Sequence, residues 1–134
     1  MTENNRDLMN LYVQAWLEGE TQDLAGALAD ALVLHHSGNH PLAGEFRGKG
    51  AYFELLARIS QAGTDVLLLE MGNLELHGDD AAITIRERFA NGDDVVESNR
   101  TIVYRIDGGR IAEMWITDED QAAVDAFFTR HPDG

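Results

Sequence analysis

The run Ala81-Ala82-Ile83-Thr84-Ile85-Arg86-Glu87-Arg88-Phe89-Ala90, followed by Asn91-Gly92-Asp93-Asp94 and then by Val95 to Ile106, decides the fold. Ile83, Ile85, Glu87 and Phe89 recur at every second position, with Thr84, Arg86 and Arg88 between them. A period of two is the signature of a strand with one buried face. Asn91-Gly92 supplies the positive φ values of a tight hairpin turn. Ile102, Tyr104 and Ile106 continue the alternation on the return strand, and Asp107-Gly108-Gly109 turns the chain into a last strand, Arg110 to Asp118. Asp65 to His77 reads as a strand-like run interrupted at Gly72, closed by the turn Gly78-Asp79-Asp80. Strands joined by such short turns are antiparallel neighbours.

Upstream the period changes. Leu8, Leu11, Tyr12, Ala15 and Trp16 recur at three- and four-residue spacing and predict a helix that Gly19 stops. Thr21 is the expected cap of a short helix carrying Leu24, Ala27 and Leu28. Asp30 to His36 is a first strand, and Ala51 to Gln61 a third helix. After the last strand, Asp118 or Asp120 caps a closing helix with Ala123, Val124, Phe127 and Phe128. Helices gathered before a run of hairpins indicate an α+β fold in which a curved antiparallel sheet wraps the N-terminal helices. A length of 134 residues fits a single domain over 1–134.

Composition narrows the function. The net charge is −14 and Lys49 is the sole lysine, which argues against nucleic acid and anionic membranes as partners. The absence of cysteine excludes thiolate chemistry and disulfides. Without a signal-like N-terminus or an apolar run of membrane length, a cytoplasmic location is the default expectation.

Three of the five histidines lie in Leu34-His35-His36-Ser37-Gly38-Asn39-His40-Pro41-Leu42-Ala43-Gly44. A histidine at a strand end beside a glycine-punctuated loop is placed for proton transfer, its ordinary pKa being near neutrality. His35 and His36 point to opposite faces of a strand and cannot share an ion, so no metal site is expected, and no cofactor either. Parity sends Glu87 inward with Ile83, Ile85 and Phe89; a carboxylate there needs a partner, with His35, Tyr12 and Arg58 as candidates. The same parity puts Met114 and Ile116 inside with Asp118 at the rim, and Trp115 outside among Arg86, Arg88, Val103 and Arg105, the alternative being a bulge that turns Trp115 inward. Exposed tryptophan among arginines reads as an interface between two copies of the chain.

Four segments in this order resemble a known family. They are Leu11-Tyr12-Val13 with Gly19 and Asp23-Leu24; His35 with Gly38, Pro41-Leu42-Ala43-Gly44 and Arg47-Gly48; Tyr104 through Ile111; and Glu113-Met114-Trp115 with Asp120-Gln121 and Asp125-Ala126-Phe127. The chain resembles SnoaL-like proteins of the nuclear transport factor 2-like superfamily, which also holds ketosteroid isomerases and limonene epoxide hydrolases. The resemblance implies a cone-shaped sheet with an internal pocket, and a homodimer through the outer sheet face. Set against ketosteroid isomerases, His35 falls at the general base and Tyr12 at the oxyanion-stabilising tyrosine. Ile102 falls where those enzymes carry a protonated aspartic acid. The expected catalytic set is His35, Tyr12, Glu87 and Asp118. The expected lining of a small apolar or cyclic carbonyl ligand is Trp16, Leu42, Phe53, Ile85, Phe89, Ile102, Tyr104, Met114 and Ile116. The activity implied is isomerisation or cyclisation by proton transfer beside a carbonyl. A non-catalytic binder is the alternative, and a water-activating hydrolase ranks lower because it needs a carboxylate–arginine–carboxylate network and Arg86 and Arg88 point outward.

Overall fold

In the computed structural model, residues 2–18 and 21–131 are described, with side chains for 5–18 and 24–131. The expected helix stop at Gly19 and the capping side chain of Thr21 lie outside them. Helix α1 (Thr2–Glu18) and helix α2 (Thr21–Ala27) precede strand β1 (Leu28–His36). Strand β2 (Gly44–Arg47) and helix α3 (Lys49–Gln61) follow, then β3 (Asp65–Met71), β4 (Glu75–His77), β5 (Asp80–Asn91), β6 (Asp94–Asp107) and β7 (Arg110–Asp118). Helix α4 (Gln121–Arg130) closes the chain, capped by the Asp120 carboxylate accepting from the Ala123 N–H at 3.2 Å. The α+β architecture expected from the sequence is present.

The strands form one sheet in the order β2-β1-β7-β6-β5-β3, with β4 also paired to β5. Every pairing is antiparallel except β1 with β7, which is parallel. Three expectations change. Leu28, expected in the second helix, opens β1. Gly44–Arg47, read as loop, is an edge strand beside β1. The run from Asp65 to His77 is two strands, because at Gly72 the backbone turns in close enough to donate to the Thr84 carbonyl at 2.7 Å. A Cβ at Gly72 would stand 2.9 Å from that oxygen, so the side chain is excluded by contact.

The inner sheet face packs on α1, α3 and α4. Met9, Tyr12 and Ala15 of α1, Tyr52 and Leu55 of α3, and Val124, Phe127 and Phe128 of α4 are buried against it. Leu11, expected on the buried face of α1, is exposed; Met9 takes that place, one turn before Val13. On β1, Leu32, Leu34 and His36 are buried while Val33 and His35 are only half-buried. That parity decides the site.

Candidate functional site

A cavity of about 840 Å³ lies between the inner sheet face and helices α1 and α3. Its buried wall carries Tyr12, Tyr52, Tyr104, His36, Glu87 and Arg100. Of the expected ligand contacts, Trp16, Ile85, Phe89, Ile102, Tyr104, Met114 and Ile116 line it. Leu42 and Phe53 do not: Leu42 is buried in the core, and Phe53 packs its ring edgewise on Tyr52 at 5.3 Å.

Arg100 organises the polar end. It stands opposite Asp118 in the β6–β7 register, and one diagonal step from Glu87, which faces Ser98 on β6. Its Nε and Nη2 donate to the two oxygens of Asp118 at 2.7 and 3.1 Å, a bidentate clamp. Its Nη1 donates to Glu87 Oε1 at 3.3 Å, and its Nη2 to His36 Nε2 at 3.1 Å. Ser98 Oγ adds a bond to Asp118 at 2.8 Å. Burial works against the charge on Arg100, but Asp118 and Glu87 outweigh it and hold the guanidinium protonated.

The carboxylates answer differently. Burial pushes Asp118 up, but the hydrogen bonds and charge of Arg100 together with Ser98 more than offset this and leave it below the usual range. Burial pushes Glu87 up, and its single, longer contact with Arg100 does not restore it, so its pKa lies above the ordinary glutamate value. Asp118 is a fixed counter-ion outside the cavity wall; Glu87 is a carboxylate in the wall with raised basicity. The expected rim position of Asp118 is therefore corrected: its side chain is fully buried beneath Arg100.

His36 is neutral. Burial, then the charge of Arg100, push its pKa down to about 3. Because guanidinium only donates, His36 Nε2 must be the acceptor, which places the proton on Nδ1. That Nδ1 is buried without a protein partner. His40, whose ring meets that of His36 edgewise at 5.3 Å, accepts from the Leu42 N–H through Nδ1 at 3.1 Å and so carries its proton on Nε2.

Three phenols face this end. Tyr12 Oη and Tyr52 Oη share a hydrogen bond of 3.0 Å, and the Tyr104 ring meets Tyr12 edgewise at 5.5 Å. Burial raises all three pKa values, and the charge of Glu87 raises those of Tyr52 and Tyr104 further. These hydroxyls stay protonated and serve as donors.

His35 is on the other face. It stacks on Trp115 with ring centroids 5.4 Å apart and bonds Glu113 Oε2 at 2.5 Å. The expectation that His35 faces the pocket as a base is overturned by strand parity, which turns Leu34 and His36 inward and His35 out. The expected partners of Glu87 are replaced by Arg100. Arg100 and Tyr52 were missed; Arg100 was within reach, since parity with Ile102 and Tyr104 already sends it inward. Among the described residues no group of three or more metal-ligating side chains converges, and no helix is long and apolar enough to cross a membrane.

No family model matches the sequence. A curated relative, an uncharacterized protein of Mycobacterium tuberculosis, is 24% identical over 123 residues, covering 91% of this chain and 94% of its own. A Xanthomonas campestris protein of unknown function with a cystatin-like fold superposes with a TM-score of 0.83 at 23% identity, over 92% of this chain and 96% of that one. A nuclear transport factor 2-like protein of Burkholderia thailandensis gives 0.80 at 15%, over 96% and 98%. An epoxide hydrolase of the LEH type from M. tuberculosis gives 0.71 at 19%, over 98% and 93%. A SnoaL-like chain of Mesorhizobium loti gives 0.69 at 18%, over 86% and 96%. The superpositions show that the chain has the cystatin-like, nuclear transport factor 2-like fold.

Proposed function

We propose that the protein binds a neutral carbonyl compound in this cavity and moves a proton at the carbon beside the carbonyl. Glu87 is the base in this reading. It takes the α-proton; the C–H electron pair passes into the carbonyl; the developing enolate oxygen accepts from the Tyr12–Tyr52 hydroxyl pair. Glu87 then returns the proton at the γ-carbon of a β,γ-unsaturated substrate in an isomerisation, or the enolate attacks a second carbonyl in a cyclisation and Glu87 gives its proton to the alkoxide that forms. The observation that supports it is a raised-pKa carboxylate and protonated phenols on the walls of one apolar cavity. A positioned base contributes about 10²–10⁴-fold and an oxyanion donor about 10²–10³-fold. Arg100, locked by Asp118, holds Glu87 in place, so Asp118 positions rather than reacts. His35 has no part in the step.

A hydrolase reading draws on the Glu87–Arg100–Asp118 chain, the network that water activation needs. Asp118 spends both oxygens on Arg100 and is shut off from the cavity, so the second carboxylate cannot reach a substrate. Proton transfer is therefore preferred. A homodimer through the outer face, with Arg86, Arg88, Val103, Arg105 and Trp115, belongs to the same reading. Its support is the platform of Trp115 between His35 and Arg105, the latter 5.5 Å above the indole.

Incubating the protein with a cyclic ketone in D₂O tests the reading. Deuterium uptake at the α-carbon is expected; binding without uptake would leave a non-catalytic binder. Incorporation of ¹⁸O from water into an epoxide-derived diol would favour the hydrolase.

A further inference from the structure

Seven large apolar side chains are exposed among the described residues, and four of them, Leu17, Leu56, Val66 and Met71, line this one cavity; on β3, Val66 and Met71 stand opposite the inward Phe89 and Ile85 of β5. Each is between 37 and 50% exposed. They come from the end of α1, from α3 and from the edge strand β3, and so flank the mouth, where Ser60 and Asp65 are also exposed, while Tyr12, Tyr52, Tyr104, His36, Glu87 and Arg100 sit at the buried end. Scattered exposed leucines need no explanation, but a cluster around one opening marks a binding surface. Among the described lining residues Arg100 is the sole lysine or arginine, and it is already neutralised by Asp118 and Glu87. Asp65 stands exposed at the mouth, and the whole chain carries −14.

Resting on the proton-transfer reading for the orientation of the carbonyl, we propose that the ligand is an uncharged molecule that enters carbonyl-first and trails a hydrocarbon body long enough to cover Leu17, Leu56, Val66 and Met71 at the mouth. The polarity gradient sets the direction: hydrogen-bonding groups inside, hydrocarbon at the entrance. The acidic mouth rejects a trailing carboxylate or phosphate, so fatty-acid anions and phosphate-bearing thioester carriers are poor occupants. A short ketone fills the inner end and leaves the rim wet.

A series of 4-alkylcyclohexanones, from the unsubstituted ring to 4-nonylcyclohexanone, tests this. Trp16 lines the cavity, whereas Trp115 stacks on the outer face, so Trp115→Phe leaves a single fluorescent reporter of occupancy. Affinity is expected to rise about fourfold per methylene until the chain passes the mouth, and then to level off. A terminal carboxylate on the longest member should weaken binding at least tenfold. Leu17→Asn with Val66→Asn should erase the length dependence and leave the unsubstituted ring bound as before. Affinity independent of chain length, or unharmed by the carboxylate, overturns the proposal. Deuterium uptake read on the same samples separates the two ideas. Uptake without length dependence removes only the elongated ligand; length dependence without uptake removes only the proton transfer.

Discussion

Arg86 and Arg88 bracket Glu87 on β5 and meet Glu97 across the hairpin; Arg100, three residues further along β6, meets Glu87 and Asp118. Both are arginine–carboxylate clusters built on β5 and β6, the inner one extended by Asp118 of β7. The outer arginines keep 45 and 42% of their side chains in water, the inner one 8%. The same chemistry on opposite faces of one sheet therefore does different work. Outside, solvent screens the pairs and they contribute little. Inside, each charge is held by its partners alone, and small differences in contact set one carboxylate below its ordinary pKa and the other above.

The sharpest way to break this comparison is to remove the cation from each face. Arg100→Met leaves Asp118 and Glu87 buried without a counter-charge and should destabilise by about 3–5 kcal/mol in chemical denaturation. Arg88→Met should leave the unfolding midpoint nearly where it was. Equal effects would mean that the inner cluster is solvated, and the base assignment would lose its basis. Next comes Glu87→Gln, which keeps the shape and deletes the base. Deuterium uptake should fall about 10²–10⁴-fold with the fold intact by circular dichroism. Glu97→Gln, its counterpart outside, should not change uptake. In the parent protein, uptake should rise with pH through the Glu87 pKa, which lies above the ordinary glutamate range.

Much of this arrangement was legible in the chain, and parity carried it. The alternation from Ala81 to Ile106 located the hairpin and sent Glu87 inward, and that of the last strand sent Trp115 out. The same rule applied to Leu32 and Leu34 selects His36 over His35, and applied to Ile102 and Tyr104 it selects Arg100. An inward arginine is uninterpretable until its counter-ions are known, and those come from two other strands. Strand β2 was hidden because Gly44-Glu45-Phe46-Arg47 is short and mostly exposed, and so carries no alternating signal. The parallel β1–β7 pairing joins residues some eighty positions apart, which no local pattern encodes. Tyr52 reaches the cavity from a helix whose rotation is set by packing on the sheet.

A smaller effect sharpens the comparison through acid. His36 has its pKa at about 3 in the folded state against 6.5 in the unfolded chain, so the native state binds fewer protons. Its contribution is full above pH 6.5 and is lost as pH falls toward 3, by about 1.4 kcal/mol per unit. Asp118, also depressed, adds the same sign below the ordinary carboxylate range, whereas Glu87, raised, opposes it. Denaturation at stepped pH should show this slope, and His36→Gln should flatten it between pH 6 and 4. Imidazole ¹⁵N shifts should show a neutral Nδ1–H ring at His36 across the same range; a ring that titrates near 6 would place it in water.

The smallest expected effect falls on the neighbouring residue. His35→Ala removes an imidazole one residue from His36, with the same sequence context and the same chemistry but the opposite face of β1. Its bonds run to Glu113 and its ring lies on Trp115, all on the outer face. Deuterium uptake in this variant should match the parent within twofold, and stability should change by no more than about 1 kcal/mol. What should change is the outer face: an indole stripped of its stacking partner becomes more accessible, which quenching of Trp115 fluorescence reads in a Trp16→Phe background. Loss of uptake with unchanged quenching would mean that residue 35 reaches the cavity after all, through a one-residue slip of β1 against β7. Such a slip would turn Leu34 and His36 into solvent, so the same sample would show His36 titrating. The two measurements on adjacent histidines therefore test one register, and with it which face of the sheet holds the chemistry.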